Sequence, residues 1–125
     1  ARHRVQVIGD DYLTTNAERI AQAKEDEACN AVLIKVNQAG TLTEAKAALD
    51  AGKAAGFGTI VSARSGESED TAIAHLAVGW NAGQLKVGSF ARSERMAKWN
   101  EVLRIEDALG TDGRFAGVAA LPPRK

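Results

Sequence analysis

The sequence predicts an α/β fold of four consecutive βα units with parallel strands, either a small open sheet or half of an eight-stranded TIM-type barrel. Three observations lead there. Strand-like apolar runs occur at "RVQVIG" (4–9), "AVLIKV" (31–36), "GTIVS" (58–62) and "QLKVG" (84–88), and their centres recur at roughly 27-residue intervals, room for one strand and one helix. The runs are nearly all apolar, as strands are when both faces are covered. Between them lie segments of helical spacing, so each helix carries the chain back across the sheet and the strands pair in parallel through right-handed crossovers.

Each element has its own signals. After the first strand, Asn16 can cap a helix reading "AERIAQAKEDEA", because its side-chain oxygen can accept from the free amides of the first turn. The second helix opens on the capping-box pair Thr41 and Glu44, buries Ala45, Ala48, Leu49 and Gly52 on one face and stops near Gly56. Ser68, followed by the acidic Glu69 and Asp70, suits the positive end of a third helix that carries Ile73, Leu76, Ala77 and Trp80. A fourth, over about 93–109, places Met96, Trp99 and Leu103 on a wide apolar face and ends at Gly110. The body is therefore expected over residues 1–110, with "TDGRFAGVAALPPRK" (111–125) as an irregular, turn-rich tail.

Composition bounds what such a domain can do. Its 125 residues suit one core of ordinary size, and 16 basic side chains cancel 16 acidic ones. No net field draws the molecule to nucleic acid or an anionic membrane, so any anion must be held locally. No apolar run approaches the roughly 18 residues of a bilayer span. The single Cys29 cannot form an internal disulfide and sits in the apolar "EACNAVLI", which makes it a core thiol and a reducing, cytoplasmic location the natural expectation. His3 and His75 read as structural or solvated, and Trp80 and Trp99 as packing residues. The opening "ARHR" reads as the start of a processed or excised piece.

The chemistry-bearing residues recur at one place in the repeat. The first strand ends in Asp10 and Asp11, the second carries Lys35, the third delivers Ser62, Arg64 and Ser65 in "SARSGE", and the fourth holds Lys86. In barrels and open α/β sheets the C-terminal ends of the strands form the rim where chemistry is done. A lysine flanked by Val32, Leu33, Ile34 and Val36 either snorkels from an edge or points into a lined cavity, where desolvation and a second cation would adapt it to proton abstraction. Arg64 offers forked donors, Ser65 a hydroxyl and Gly66 a flexible backbone, a set that fits a phosphate or carboxylate.

The stretches "VIGDDYLTTNAERI", "LIKVNQAGTLTEA", "SARSGESEDT" and "GQLKVGSFARSERMAKWNEVLRIEDALG" resemble, in order and spacing, the C-terminal half of the barrel domain of enolases. That resemblance implies a lyase that dehydrates 2-phosphoglycerate to phosphoenolpyruvate in glycolysis with magnesium. It assigns Asp10 to one of three metal-holding carboxylates, close to substrate, and Lys35 to the base that removes the proton beside the substrate carboxylate. Arg64 and Ser65 take the phosphate and Lys86 contacts the substrate carboxylate. Three positions depart from the family pattern: Ala63 stands where a histidine precedes the arginine, His75 where an aspartate is usual, and Ala39 where a larger apolar residue is usual.

The resemblance also implies a capping domain and a first half-barrel upstream, which supply two further metal carboxylates, the acid that assists loss of hydroxide and the lid loops. With one carboxylate of three, magnesium should bind this chain weakly, and the chain alone should not catalyse the reaction. An open half-barrel exposes two strand edges and is expected to recruit the missing half or to self-associate. The alternative is a stand-alone half-barrel that binds a phosphorylated ligand or a protein partner without catalysis.

Overall fold

A computed structural model describes residues 5–122. The elements run β1 (Ile8–Gly9), α1 (Ala17–Glu25), β2 (Ala31–Ile34), α2 (Val36–Ala39), α3 (Leu42–Ala54), β3 (Gly58–Ser62), α4 (Ala72–Gly79), β4 (Gly83–Lys86) and α5 (Ser93–Leu109), followed by 3-10 turns at Gly110–Asp112 and Gly117–Ala120. The strands form one sheet in the order β1-β2-β3-β4. Every neighbouring pair is parallel, so the chain advances one strand per βα unit, as in a barrel.

Alternation along each strand sorts side chains to two faces. Val32, Ile34 and Val61 join Leu13, Ile20, Ala23, Ala45, Ala48, Leu49, Ile73 and Ala77 in the main core beneath the helices. Ala31, Leu33 and Ile60 form a smaller buried cluster on the opposite face. Each fully buried Leu or Ile contributes about 1.5–3 kcal/mol. On that second face Gln6, just before β1, and Gln84, in β4, exchange hydrogen bonds of 2.9 Å. In a flat sheet the outer strands would stand about 14 Å apart, three spacings of about 4.8 Å. Two glutamine side chains that meet directly require the sheet to curl, so this face is concave and the sheet is half of a barrel wall. Gln84 also donates to the Ala120 carbonyl at 3.0 Å, which ties the tail to the N-terminal end of the half-barrel.

Several boundaries differ from the sequence expectation, each for a local reason. Among the described residues of "RVQVIG", Ile8 and Gly9 are laddered; ahead of them the Asn30 side chain accepts from the Val7 amide at 2.6 Å and donates to the Val5 carbonyl at 3.0 Å, while the Val7 carbonyl accepts from the Asn30 and Ala31 amides. The second strand ends at Ile34, and Val36 opens the short helix α2. Helix α1 keeps its Asn16 cap but closes at Glu25, and Glu27 lies in the left-handed region at φ 49°. Ser68 does not cap the third helix; α4 begins at Ala72 after Thr71, and the Asp70 carboxylate accepts from the Ala72 amide at 2.8 Å. On α5 the expected wide apolar face is absent: Leu103 is 62% exposed, Met96 and Trp99 are half-buried, and the buried residue is Lys98. Trp99 packs its ring 5.4 Å from that of Phe90. His75 is exposed and bonds to Glu101 at 2.9 Å; His3 lies outside the described residues.

Candidate active site at the C-terminal rim

The polar side chains singled out from the sequence continue the concave-face series of each strand. Asp10 follows Ile8 by two positions, Lys35 follows Leu33, Ser62 follows Ile60 and Lys86 follows Gln84. A period of two keeps each on its predecessor's face, and all four stand at the C-terminal end of the sheet. Asp10 and Lys35 meet: the ammonium is 2.8 Å from Oδ2 and 2.7 Å from Oδ1. Both carboxylate oxygens thus share the ammonium in one close ion pair, with the hydrogen bond directed at Oδ2. The side chains are 14% and 34% exposed for Lys35 and Asp10. Ser62 pairs with Lys86 in the β3/β4 register, and the Ala63 amide donates to the Lys86 carbonyl at 2.9 Å.

Arg64 and Ser65 occupy the exposed loop after β3, which turns at Gly66 with φ 78°, a conformation glycine adopts without the Cβ penalty. Among the described residues, no hydrogen bond or ion pair joins their side chains to the Asp10–Lys35 pair. Lys35, Arg64 and Lys86 thus follow three successive strands at the same end of the sheet as Asp10, and among the described residues it is Lys35 that contacts the carboxylate.

Sequence reasoning missed the residues that hold these groups in place. Thr15, buried and left-handed at φ 52°, accepts from the Lys35 amide at 3.0 Å and donates to Gln38 Oε1 at 2.9 Å, so it stitches the loop after β1 to the end of β2. Lys98 reaches from α5 to the Ser68 carbonyl at 2.9 Å and to Glu67 Oε2 at 3.2 Å. Arg95 donates to Ser89 Oγ at 2.8 Å in the loop beyond Lys86. The only clue to Lys98 was a lysine among apolar neighbours on a core-facing helix.

Among the described residues no three His, Cys, Asp or Glu side chains come together to hold a metal. Magnesium keeps near-octahedral oxygen coordination, and one carboxylate already paired with an ammonium does not provide it. The described residues do not by themselves fit that ion. A cleft of about 580 Å³ lies at the opposite end of the sheet, lined by Gly58, Gly83, Phe115 and Pro122 among others, away from every rim group. Burial pushes the Cys29 thiol up from its ordinary range, in keeping with a core residue. Elsewhere, on α5, the Arg104 guanidinium and then His75 hold the Glu101 carboxyl below its ordinary range.

A curled parallel sheet, helices on its convex side and charged groups gathered at its C-terminal edge define a segment of a (βα)-barrel domain with a polar rim. The sequence settles which barrel: residues 1–123 match the family described as "Enolase, C-terminal TIM barrel domain", and the chain belongs to that family. It is 59% identical over 112 residues to Enolase 1 of Desulfitobacterium hafniense (strain Y51), covering 90% of this chain and 26% of that protein. It is 54% identical over 118 residues to the enolase of Acidothermus cellulolyticus (strain ATCC 43068 / DSM 8971 / 11B), covering 94% of this chain and 28% of that protein. The chain therefore spans little more than a quarter of the relatives it matches. Among its described residues, no helix is long and apolar enough to cross a membrane.

Proposed function

We propose that this chain is the C-terminal catalytic segment of a glycolytic, cytoplasmic enolase, a lyase that dehydrates 2-phosphoglycerate to phosphoenolpyruvate. The observation that supports this most is the gathering of Asp10, Lys35 and Lys86 at one end of the concave face, with the Arg64–Ser65 loop beside them. In this reading Arg64 and Ser65 hold the phosphate and Lys86 the substrate carboxylate. Lys35 takes the proton from carbon 2, and the released electron pair forms the carbon 2 to carbon 3 double bond as the hydroxyl leaves carbon 3. That hydroxyl departs with a proton from an acid elsewhere in the longer protein. The cations around the carboxylate offset the charge that develops there.

In the present arrangement the Lys35 ammonium donates to Asp10, so it accepts a proton only after releasing one. Asp10 would serve as one magnesium ligand, with the remaining oxygens supplied from outside the described residues; when bound, the ion would neutralise the substrate carboxylate. The chain alone is therefore inactive. Among the described residues its sheet has an unpaired edge at β1 and another at β4, which suits it to pair with the missing half-barrel. A coupled assay for phosphoenolpyruvate tests this with magnesium present: product from a longer form containing the segment, none from the chain alone and none from the longer form carrying Lys35→Ala. Absence of product from both unsubstituted forms would remove the enzymatic reading. The non-catalytic alternative, a half-barrel that binds a phosphorylated ligand, draws on the exposure of Arg64 and Ser65. Calorimetry with inorganic phosphate on the chain and on Arg64→Ala decides it, since unchanged binding eliminates it.

A further inference from the structure

The described residues contain one nearly inaccessible ammonium that the proposed mechanism does not use. The Lys98 side chain is 1% exposed. Its acceptors are the Ser68 carbonyl at 2.9 Å, the Glu94 carbonyl at 2.9 Å and Glu67 Oε2 at 3.2 Å, three oxygens for three N–H donors. Two of those three lie in the loop that carries Arg64 and Ser65. The other oxygen of the same carboxylate, Glu67 Oε1, accepts from the Arg64 backbone amide at 2.6 Å. One glutamate thus bridges a buried cation on α5 and the backbone of the residue bearing the guanidinium.

We propose that Lys98 is a positioning residue for the rim. Its ammonium fixes Glu67, and Glu67 fixes the Arg64 backbone, so that the loop presents Arg64 and Ser65 to a phosphate in one conformation. The inference rests on the reading of Arg64 and Ser65 as phosphate binders. Arg64, Ser65 and Gly66 are exposed and Gly66 can visit many backbone states, so apolar packing does not order this stretch. A polar anchor must. Stability alone does not explain a lysine here, because replacing a buried ion pair by apolar groups of similar volume is often neutral or favourable. A binding site needs its groups preorganised, and a displacement of about 1 Å can cost about a hundredfold in a reaction.

The test combines two readouts on the full chain, amide hydrogen exchange and titration with inorganic phosphate. In Lys98→Met, Arg64 amide exchange should accelerate by about tenfold or more while Ile60 and Val61 in β3 stay protected, and phosphate should bind about tenfold more weakly. Glu67→Gln, which keeps an acceptor for the Arg64 amide but no charge for Lys98, should fall between. If Lys98→Met does not fold, Glu67→Ala carries the same two measurements. Unchanged Arg64 exchange in a folded variant overturns the inference. So does unchanged phosphate affinity once the loop has loosened. Failure of the unsubstituted chain to bind phosphate through Arg64 removes the reading of the site instead, and the exchange measurement then decides by itself whether Lys98 orders the loop.

Discussion

Gly52→Ala separates two opposing effects whose sizes can be estimated from the structure. In a helix interior alanine is favoured over glycine by about 1 kcal/mol, so propensity alone makes the change stabilising. Gly52, however, lies where α3 crosses β2 and β3. A Cβ there would stand 2.7 Å from Val32 Cγ1 and 3.2 Å from Thr59 Cγ2, against an optimal carbon separation of about 3.5–4.0 Å. Neither neighbour can retreat freely: Val32 is fully buried in the core and Thr59 donates its hydroxyl to the Ala82 carbonyl at 2.8 Å. Overpacking of this kind costs about 1–3 kcal/mol, and with two neighbours struck the upper part of that range applies. Gly52→Ala should therefore lower stability by about 1–2 kcal/mol net. Gly79, at the end of α4, provides the control. Nothing lies within 4 Å of its would-be Cβ, so Gly79→Ala should be neutral or stabilising by up to about 1 kcal/mol. Urea unfolding followed by circular dichroism measures both, with an unchanged slope as the sign that the end states are the same. Equal or greater stability for Gly52→Ala would refute the claim that α3 packs this closely on the sheet.

Three more predictions are open to simple measurements. Thr41 Oγ1 accepts from the Glu44 amide at 3.1 Å and donates to the Glu44 carboxylate at 2.8 Å, so Thr41→Ala should cost about 1 kcal/mol in the same unfolding assay. Glu101 is held below its ordinary value of 4.5 by Arg104 and then His75. Its stabilisation is thus complete above that value and is lost as pH falls through the lower folded one, and Glu101→Gln should flatten that acid limb. Cys29 is raised from its ordinary value of 9.0 by burial. Its contribution is present below 9.0 and is lost as pH rises towards the folded value, so Cys29→Ala should lessen the alkaline loss. Alkylation of the thiol should also be much slower in the folded chain than after unfolding.

The parts of the fold that were legible in sequence are those where one strong local signal acts unopposed. β3 spans the apolar run "GTIVS", α3 begins at its Thr41 cap, and α5 runs from Ser93 to the Gly110 stop. Legibility failed where a side chain did the work of backbone. Asn30 bonds through its side chain to Val5 and Val7, where the apolar pattern leads one to expect a ladder. The Ser68 hydroxyl accepts from the Asp70 amide, and Asp70 in turn accepts from the Ala72 amide where α4 begins. The helix α2, four residues long, is too short to carry a period. At the rim, the candidate groups Asp10, Lys35, Arg64 and Lys86 were visible because charged residues at strand ends are conspicuous among apolar ones. Their supports, Thr15, Glu67 and Lys98, were not, because a threonine, a glutamate and a lysine at loop and helix positions look like solvated surface until the tertiary fold buries them.

The charge arithmetic of the rim bears on why a half-barrel holds its sites this way. The chain as a whole is neutral, so long-range attraction cannot bring an anion to it. An anion at this end of the sheet would have to be held by the nearby charges of Lys35, Arg64 and Lys86, with Asp10 beside them, and salt screens such close contacts less than distant ones. Asp10 does not simply cancel those charges. It engages the one lysine that the proposed chemistry needs as a base, with both of its oxygens within 2.8 Å of the ammonium. The β1 and β4 edges, through which the rest of a barrel would join, flank this same rim. In the proposed function, a half-barrel joining at those edges would bring the further oxygen ligands that a magnesium on Asp10 needs.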